Sequence, residues 1–290
     1  SNVSNHRDAL ETALTKASME HNIVIIAVVN KANVEGDKPM IDMFLDSFWY
    51  GKDTQDLVDH LLLVVVDQTT YERCKFLKLH CYKLEIDGVD FDGEKLYMSK
   101  EFIKMMWRRT LFLGDVLKRG YFIIFQDIDV LWLRNPLTRL GLNQSIDFHI
   151  STDGFNGNKW SGTNPINTRF YMIRSNNKTI TLFDDWYARK DNSNRLNEQD
   201  VLDNMLHERD FKLGIKVRFL DALYFSGFCE NSKDARYVTT VHANCCRTIS
   251  AKVGDLTVLH DWRKFKSSSS TNGTSLFERL NHVECSHSWQ

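Results

Sequence analysis

Proline is scarce, 3 of 290 residues (Pro39, Pro136, Pro165), which excludes Pro-rich linkers and collagen-like repeats and leaves few hard chain breaks. Long apolar runs are missing too. The longest, Ile23–Val29 and Leu61–Val66, fall well short of the roughly 20 residues a membrane helix needs, and their β-branched content reads as buried strand. There is no excess of either charge: 37 Lys and Arg stand against 38 Asp and Glu, a net charge of −1. That balance argues against a nonspecific nucleic-acid or membrane-surface binder, whose basic excess would supply the attraction. No CxxC pair occurs, so neither a zinc ribbon nor a thioredoxin-type site is indicated. Internal repeats are absent as well.

What is present is the composition of an ordinary globular protein, 42% hydrophobic and 26% charged, long enough for one large domain or two merged lobes. The six cysteines permit disulfides. Because Cys245 and Cys246 are adjacent, at most one of them is expected in a simple bridge, with the other buried. Four N-x-S/T sequons begin at Asn2, Asn143, Asn177 and Asn272. Together with the even cysteine count and a first residue that is not Met, they lead us to expect a secretory lumen and an upstream anchor segment.

The spacing of Leu10, Ala13, Leu14 and Ala17 predicts an amphipathic helix within Ser4–Met19. Two apolar runs, Ile23–Val29 and Leu61–Val66, predict strands covered on both faces, joined by a helix over Met40–Tyr50. A longer helix is expected from Ser99, as N-cap, to Lys118, followed by a strand over Tyr121–Phe125. The first half thus alternates α and β, as a doubly wound, mostly parallel sheet does. In the second half, strands are expected at Phe148–Ser151, Thr168–Ile173, Lys216–Leu220 and Val238–His242, and helices at Ile180–Ala188 and Gln199–Leu206. Polar loops at 153–166 and 225–236 are candidate binding surface. Ser267–Ser275 reads as a flexible connector.

Asp127-Ile128-Asp129 closes a buried strand, where α/β folds bind ligands, and paired carboxylates there can hold Mn²⁺ or Mg²⁺ against a diphosphate. The ordinary alternative is a pair of turn-forming acids. Arg109 interrupts the apolar stripe formed by Phe102, Met105, Met106, Leu113 and Val116, so it needs an anionic partner, either a ligand or a structural carboxylate. Trp107 and Trp132 read as core. Asn197 before Glu198-Gln199-Asp200 reads as the cap of a solvated helix start.

The segment Gly120–Pro136 resembles the DxD region of the plant nucleotide-diphospho-sugar transferases of glycosyltransferase family 77. Lys104–Arg109, Asn197–Leu202, Arg218–Glu230 and Val241–Cys246 match further blocks in the same order, covering about 20–265. The resemblance implies an α/β GT-A fold with a Rossmann-like sheet. It divides a domain over 1–266 into a nucleotide-binding half, about 20–136, and an acceptor-side half, about 137–266, leaving 267–290 as connector and tail. It also implies a UDP-sugar donor, a divalent cation and transfer with retention to a glycan or glycoprotein acceptor, as in cell-wall biosynthesis, in the Golgi lumen on a type II membrane anchor.

Carried over by position, Asp127 faces ribose and metal, Asp129 is a metal ligand, and His242 is the third ligand, with His260 as the alternative. Asn30, Arg109, Ile128 and Asp153 join the donor site, and Asn164 and Asn167 lie in loops able to meet sugar. Glu198-Gln199-Asp200 resembles the acidic-Gln-acidic triplet of retaining family 8 enzymes, which makes Gln199, Asp200 and Glu198 the catalytic candidates. Gln is a poor nucleophile, so front-face substitution is expected. A noncatalytic carbohydrate- or protein-binding relative is the alternative; a metal phosphohydrolase lacks its second ligand cluster.

Overall fold

The computed structural model describes residues 8–85, 95, 98–142, 145–194, 196–208, 214–268 and 281–290, the side chains of 261–268 excepted. The uninterrupted apolar runs form the middle of the sheet. Strand β1 (Ile23–Val29) pairs in parallel with β2 (Leu61–Val65) on one side and β4 (Phe122–Gln126) on the other. An edge strand, β3 (His80–Lys83), continues the parallel set beyond β2. On the far side β7 (Ile166–Ile173) runs antiparallel to both β4 and β6 (Phe148–Thr152), and β8 (Val217–Phe219) closes the edge, giving the order β3-β2-β1-β4-β7-β6-β8. The α/β fold expected from the sequence is therefore present, with one seven-stranded, mostly parallel sheet flanked by helices.

Side chains alternate across this sheet and feed two cores. Ile23, Ile25 and Ala27 face a core with Phe44, Phe48, Trp132 and Leu256, while Val24 and Ile26 face another with Leu113, Phe183 and Met205. The first layer is α2 (Met40–Tyr50) and α8 (Ile249–Ser268); the second holds α1 (Ala9–Ala17), α4 (Lys100–Lys118), α6 (Asn177–Ala188) and α7 (Glu198–His207). Two shorter helices, α3 (Gln68–Phe76) and α5 (Pro136–Leu140), follow β2 and β5 (Val130–Trp132). The Ser99 hydroxyl caps α4 by accepting from Phe102 N–H at 3.2 Å.

Three short strands make a second sheet: β5 (Val130–Trp132), β9 (Phe225–Gly227) and β10 (Thr240–His242), with β10 in the middle. β9 lies inside the stretch expected as a polar loop, and α8 lies where no helix was expected. The expected connector Ser267–Ser275 lies outside the described residues except for its first two positions. Ser267 and Ser268 end α8, residues 269–280 fall outside the described residues, and 281–290 carry a last helix, α9 (Val283–His287), whose Cys285 is buried and bridged to Cys246.

All six cysteines are paired: Cys74–Cys81, Cys229–Cys245 and Cys246–Cys285. Both adjacent cysteines thus form bridges, against the expectation of one. They reach different segments, and Cys245 takes a left-handed backbone (φ 51°) that turns the two side chains apart. Of the four sequons, Asn177 is described and lies exposed at the first position of α6; Asn2, Asn143 and Asn272 are outside the described residues.

Candidate active site

The sheet changes direction of winding between β1 and β4, which leaves a crevice at the carboxyl ends of these two strands. A cavity of about 310 Å³ opens there, and Val29 and Asn30 from the end of β1 and Asp127, Ile128 and Asp129 from the end of β4 line it. The chain leaves the large sheet at Gln126 and enters the small one at Val130, so the two aspartates sit on the bridge between sheets. Antiparallel pairing of β5 with β10 sets Val130 against His242, and Ala243 N–H donates to the Asp129 carbonyl at 3.0 Å. This is the long-range contact that brings His242 to the aspartates.

The carboxylates have different surroundings. Asp127 is held by two guanidiniums, Arg109 Nη1 at 3.1 Å on Oδ1 and Arg169 Nη1 at 3.0 Å on Oδ2. Asp129 Oδ2 accepts from Lys252 Nζ at 2.7 Å, while its Oδ1 is buried without a hydrogen bond, 3.5 Å from His242 Nε2. Burial alone would push the Asp129 carboxyl up, but Lys252 and His242 outweigh it and hold it well below the usual carboxylate range. Arg169 is likewise disfavoured by burial and held above its ordinary value by Asp127 and Glu198.

Arg109 does have its anionic partners, and they are structural carboxylates: besides Asp127, its Nη2 donates to Glu198 Oε1 at 2.7 Å. Glu198 also accepts from the Thr168 hydroxyl at 3.0 Å and is wholly buried, 0% exposed. It lies behind the cavity wall and is not among the lining residues, and neither is Asp200. Burial and the charge of Glu198 push Asp200 up. Asn197 caps α7, accepting from Asp200 N–H at 2.8 Å, but the helix start is buried rather than solvated.

Gln199 does line the cavity. A bulge in the β6–β7 pairing at Ser151 frees the backbone of Thr168, whose N–H donates to Gln199 Oε1 at 3.0 Å. With its carbonyl oxygen so engaged, the side chain offers its amide N–H₂ as a donor. Asp153 and Asn167 line the cavity too, joined by Asn167 Nδ2–H to Asp153 Oδ1 at 2.7 Å, and Asn244 Nδ2 reaches the same oxygen at 2.8 Å. Gly227 admits Asn244: a Cβ there would stand 2.6 Å from Asn244 Oδ1. Asn164 instead braces the 153–166 loop through the Asn158 and Ser161 carbonyls. Asn30 N–H donates to Asn33 Oδ1 at 3.1 Å and shapes the turn after β1.

For a divalent cation the residues fit in part. Asp129 Oδ1 and His242 Nε2 converge as two donors, and the free buried oxygen is the atom such an ion would take. Mg²⁺ or Mn²⁺ bound by few protein ligands fills its shell with water and substrate phosphates. Asp127, expected as a ligand, instead spends both oxygens on arginines. Among the described residues no group of three His, Cys, Asp or Glu side chains is close enough to form a cage. His260, the other expected ligand, lies outside the cavity, with Nε2 3.4 Å from Asp46 and its ring edge-on to Tyr50.

Arg169, Lys252, Asn244 and Arg247, which the sequence does not single out, also line the cavity. Arg169 carried a readable signal, a charge within a strand that is otherwise almost wholly buried, the same signal that singled out Arg109.

A strand-end crevice in a mostly parallel sheet, with acidic, basic and amide side chains converging on one cavity, is where α/β proteins bind polar ligands. The chain belongs to the nucleotide-diphospho-sugar transferase family, whose model matches residues 56–256. It is 53% identical over 289 residues to the uncharacterized Arabidopsis thaliana protein At1g28695, covering 97% of this chain and 84% of that one. With a second uncharacterized A. thaliana protein, At4g15970, identity is 37%, covering 95% and 73%. A UDP-galactose:fucoside alpha-3-galactosyltransferase of Dictyostelium discoideum is 29% identical over 100 residues, 34% of this chain and 15% of that one. Family membership makes this a glycosyltransferase, with a nucleotide-sugar donor and a glycan acceptor.

Proposed function

We propose that the protein is a retaining glycosyltransferase that moves a pentose or galactose from a UDP-sugar to a glycan or glycoprotein, with Mn²⁺ or Mg²⁺ as cofactor. One observation carries this reading: in a chain of net charge −1, the cavity is lined by five basic side chains (Lys95, Arg109, Arg169, Arg247, Lys252) against three acidic ones (Asp127, Asp129, Asp153). Even with Glu198 counted behind the wall, positive charge prevails. Arg247 just precedes α8 and Lys252 stands in its first turn, which sets two cations at one end of the helix where a diphosphate can pair with them.

In this reading the nucleoside lies along the end of β1 by Asn30 and Asn33, and the diphosphate beside Asp129, His242 and Lys252. The sugar reaches Gln199, Asp153 and Asn167. A bound cation, held by Asp129 and His242, would neutralise the leaving diphosphate. Gln199 orients the sugar through its amide N–H₂ and is no nucleophile, since Thr168 occupies its carbonyl oxygen. Arg109 and Arg169 fix Asp127 at the donor and set positive charge under the forming phosphate. Front-face substitution follows, with the donor phosphate taking the acceptor proton.

The Dictyostelium relative's name supports the choice of UDP. Six paired cysteines and an exposed Asn177 sequon support an oxidising lumen, and we place the protein in the Golgi on a type II anchor. The test is thermal: UDP with Mn²⁺ should raise the melting temperature of the wild type and not of Asp129→Ala. Equal shifts in both proteins would remove the aspartate from the donor site. UDP binding without hydrolysis of any UDP-sugar would mark a noncatalytic relative.

A further inference from the structure

The donor groups described so far come from the sheets, from α4 and α7, and from the start of α8. On its exposed side the cavity is lined by Cys245, Cys246 and Arg247 and, from the 281–290 segment, by Trp289. Cys245 and Cys246 stand there and are bridged in opposite directions, to Cys229 and to Cys285 on α9. Two hydrogen bonds continue the attachment: Arg247 N–H donates to Ser288 Oγ at 2.9 Å, and Trp289 Nε1–H donates to the Cys245 carbonyl at 3.1 Å. Trp289 thereby enters the cavity lining while 52% exposed.

That position is unusual for tryptophan in this molecule. Trp107, Trp132 and Trp186 are core residues, exposed by 3% or less, and the exposed Trp49 and Trp160 lie away from the cavity. A half-exposed indole forgoes part of its hydrophobic stabilisation, and here a disulfide, a short helix and a hydrogen bond fix it in place. Fixing an aromatic surface beforehand lowers the entropy lost when a ligand settles on it. Val29, Asn30, Asp129 and His242, deeper in the cavity, are nearly or fully buried and serve the donor. With the donor seated there, the second substrate must enter past the rim. The axial C–H face of a neutral sugar ring suits an indole, which offers no formal charge and a broad apolar surface.

We propose that Trp289 is the stacking platform of an acceptor subsite for a neutral carbohydrate ring, held at the cavity mouth by the Cys246–Cys285 bridge. In this role, which rests on the donor site described above, Trp289 contacts the acceptor and not the nucleotide.

The protein contains seven tryptophans, so labelling with 5-fluorotryptophan gives seven ¹⁹F resonances, and Trp289→Ala assigns one by deleting it. Methyl β-galactopyranoside, methyl β-xylopyranoside and methyl α-arabinofuranoside are titrated separately at tens of millimolar. The Trp289 resonance should move with at least one of them. Where a glycan acceptor supports transfer, Trp289→Ala should raise its KM about tenfold, and Trp289→Phe much less, with UDP affinity within about twofold of wild type. Replacing Cys246 and Cys285 by Ser should abolish the sugar response while the UDP-induced thermal shift persists, which also shows that the variant is folded. A Trp289 resonance unmoved by every glycoside in a protein that binds UDP overturns the subsite and spares the donor site. The same follows if Trp289→Ala weakens UDP as much as acceptor, since the indole would then be a nucleotide platform. A sugar response in a protein that never binds UDP would instead uphold the subsite and refute the donor site.

Discussion

Replacing Glu198 by Gln separates two roles that the sequence leaves together. The carboxylate is 0% exposed, and its Oε1 accepts from Arg109 Nη2 at 2.7 Å and from the Thr168 hydroxyl at 3.0 Å. Gln preserves the shape and an acceptor oxygen but removes the charge. Losing one partner of a buried pair altogether costs about 3–5 kcal/mol. Arg109 keeps Asp127 at 3.1 Å, which reduces the loss. The new amide nitrogen, however, falls where Glu198 Oε2 has no hydrogen-bonding partner. A net cost of about 2 kcal/mol is expected, or a fall in melting temperature of about 3 °C for a chain of 290 residues. Gln199→Ala should do the reverse. It loses two bonds to Thr168, worth about 1 kcal/mol, yet lowers UDP-sugar hydrolysis by roughly a hundredfold because the cavity-facing amide is gone. Scanning calorimetry and a donor-hydrolysis assay on both variants decide the matter. If Glu198→Gln melts within about a degree of wild type and is as inactive as Gln199→Ala, Glu198 is a catalytic group and the buried network described above is not its purpose.

Lys252→Met should leave Asp129 without its 2.7 Å partner and weaken UDP about tenfold in a calorimetric titration; unchanged affinity would remove Lys252 from the diphosphate site. His149, in the middle of β6, is pushed down to about 4 by burial, with Arg218 and Arg174 adding to the effect. The folded chain therefore refuses a proton that the unfolded chain accepts below pH ~6.5. The stability His149 contributes is full above that value and falls as pH drops to about 4, by up to about 3 kcal/mol. Urea midpoints for wild type and His149→Gln should converge across this window, and parallel curves would refute it. The Cys229–Cys245 and Cys246–Cys285 bridges close loops of 16 and 39 residues, worth about 3 and 4 kcal/mol by chain entropy. Non-reducing and reducing melts should differ by several degrees, and identical melts would count against both bridges.

The parts of the fold that depend on local burial were legible. β1, β2 and β4 are apolar at nearly every position because both faces are covered, and α4 declares itself through its Ser99 cap and one apolar stripe. What escaped was short, lay at an edge or, in α8, had a weak apolar stripe. β3 has no buried residue, β5 and β9 are three residues each, and α8 carries a weak stripe against α2. None of these offers enough periodicity for its type to be read from one sequence.

The site divides along the same line, for a different reason. Asp127, Asp129 and Arg109 were visible because each violates a local pattern, two acids closing an apolar strand and a guanidinium on a buried face. Their partners violate nothing nearby. Lys252 is an unremarkable residue in the first turn of a helix until the β5–β10 pairing carries that helix to Asp129. Glu198 and Gln199 are adjacent in sequence and equally polar, yet successive residues on a helix point about 100° apart, so one meets Arg109 inside and the other meets the cavity. Cysteine pairing is the extreme case, since Cys245 and Cys246 are adjacent yet bridge to two different segments, Cys229 and Cys285, that only the fold brings to them. Near-neutrality of the whole chain follows the same logic: it excludes a diffuse electrostatic binder, but a diphosphate needs positive charge only within a few ångströms. Five basic side chains supplied by β7, α4, α8 and their flanking segments meet that need without changing the total.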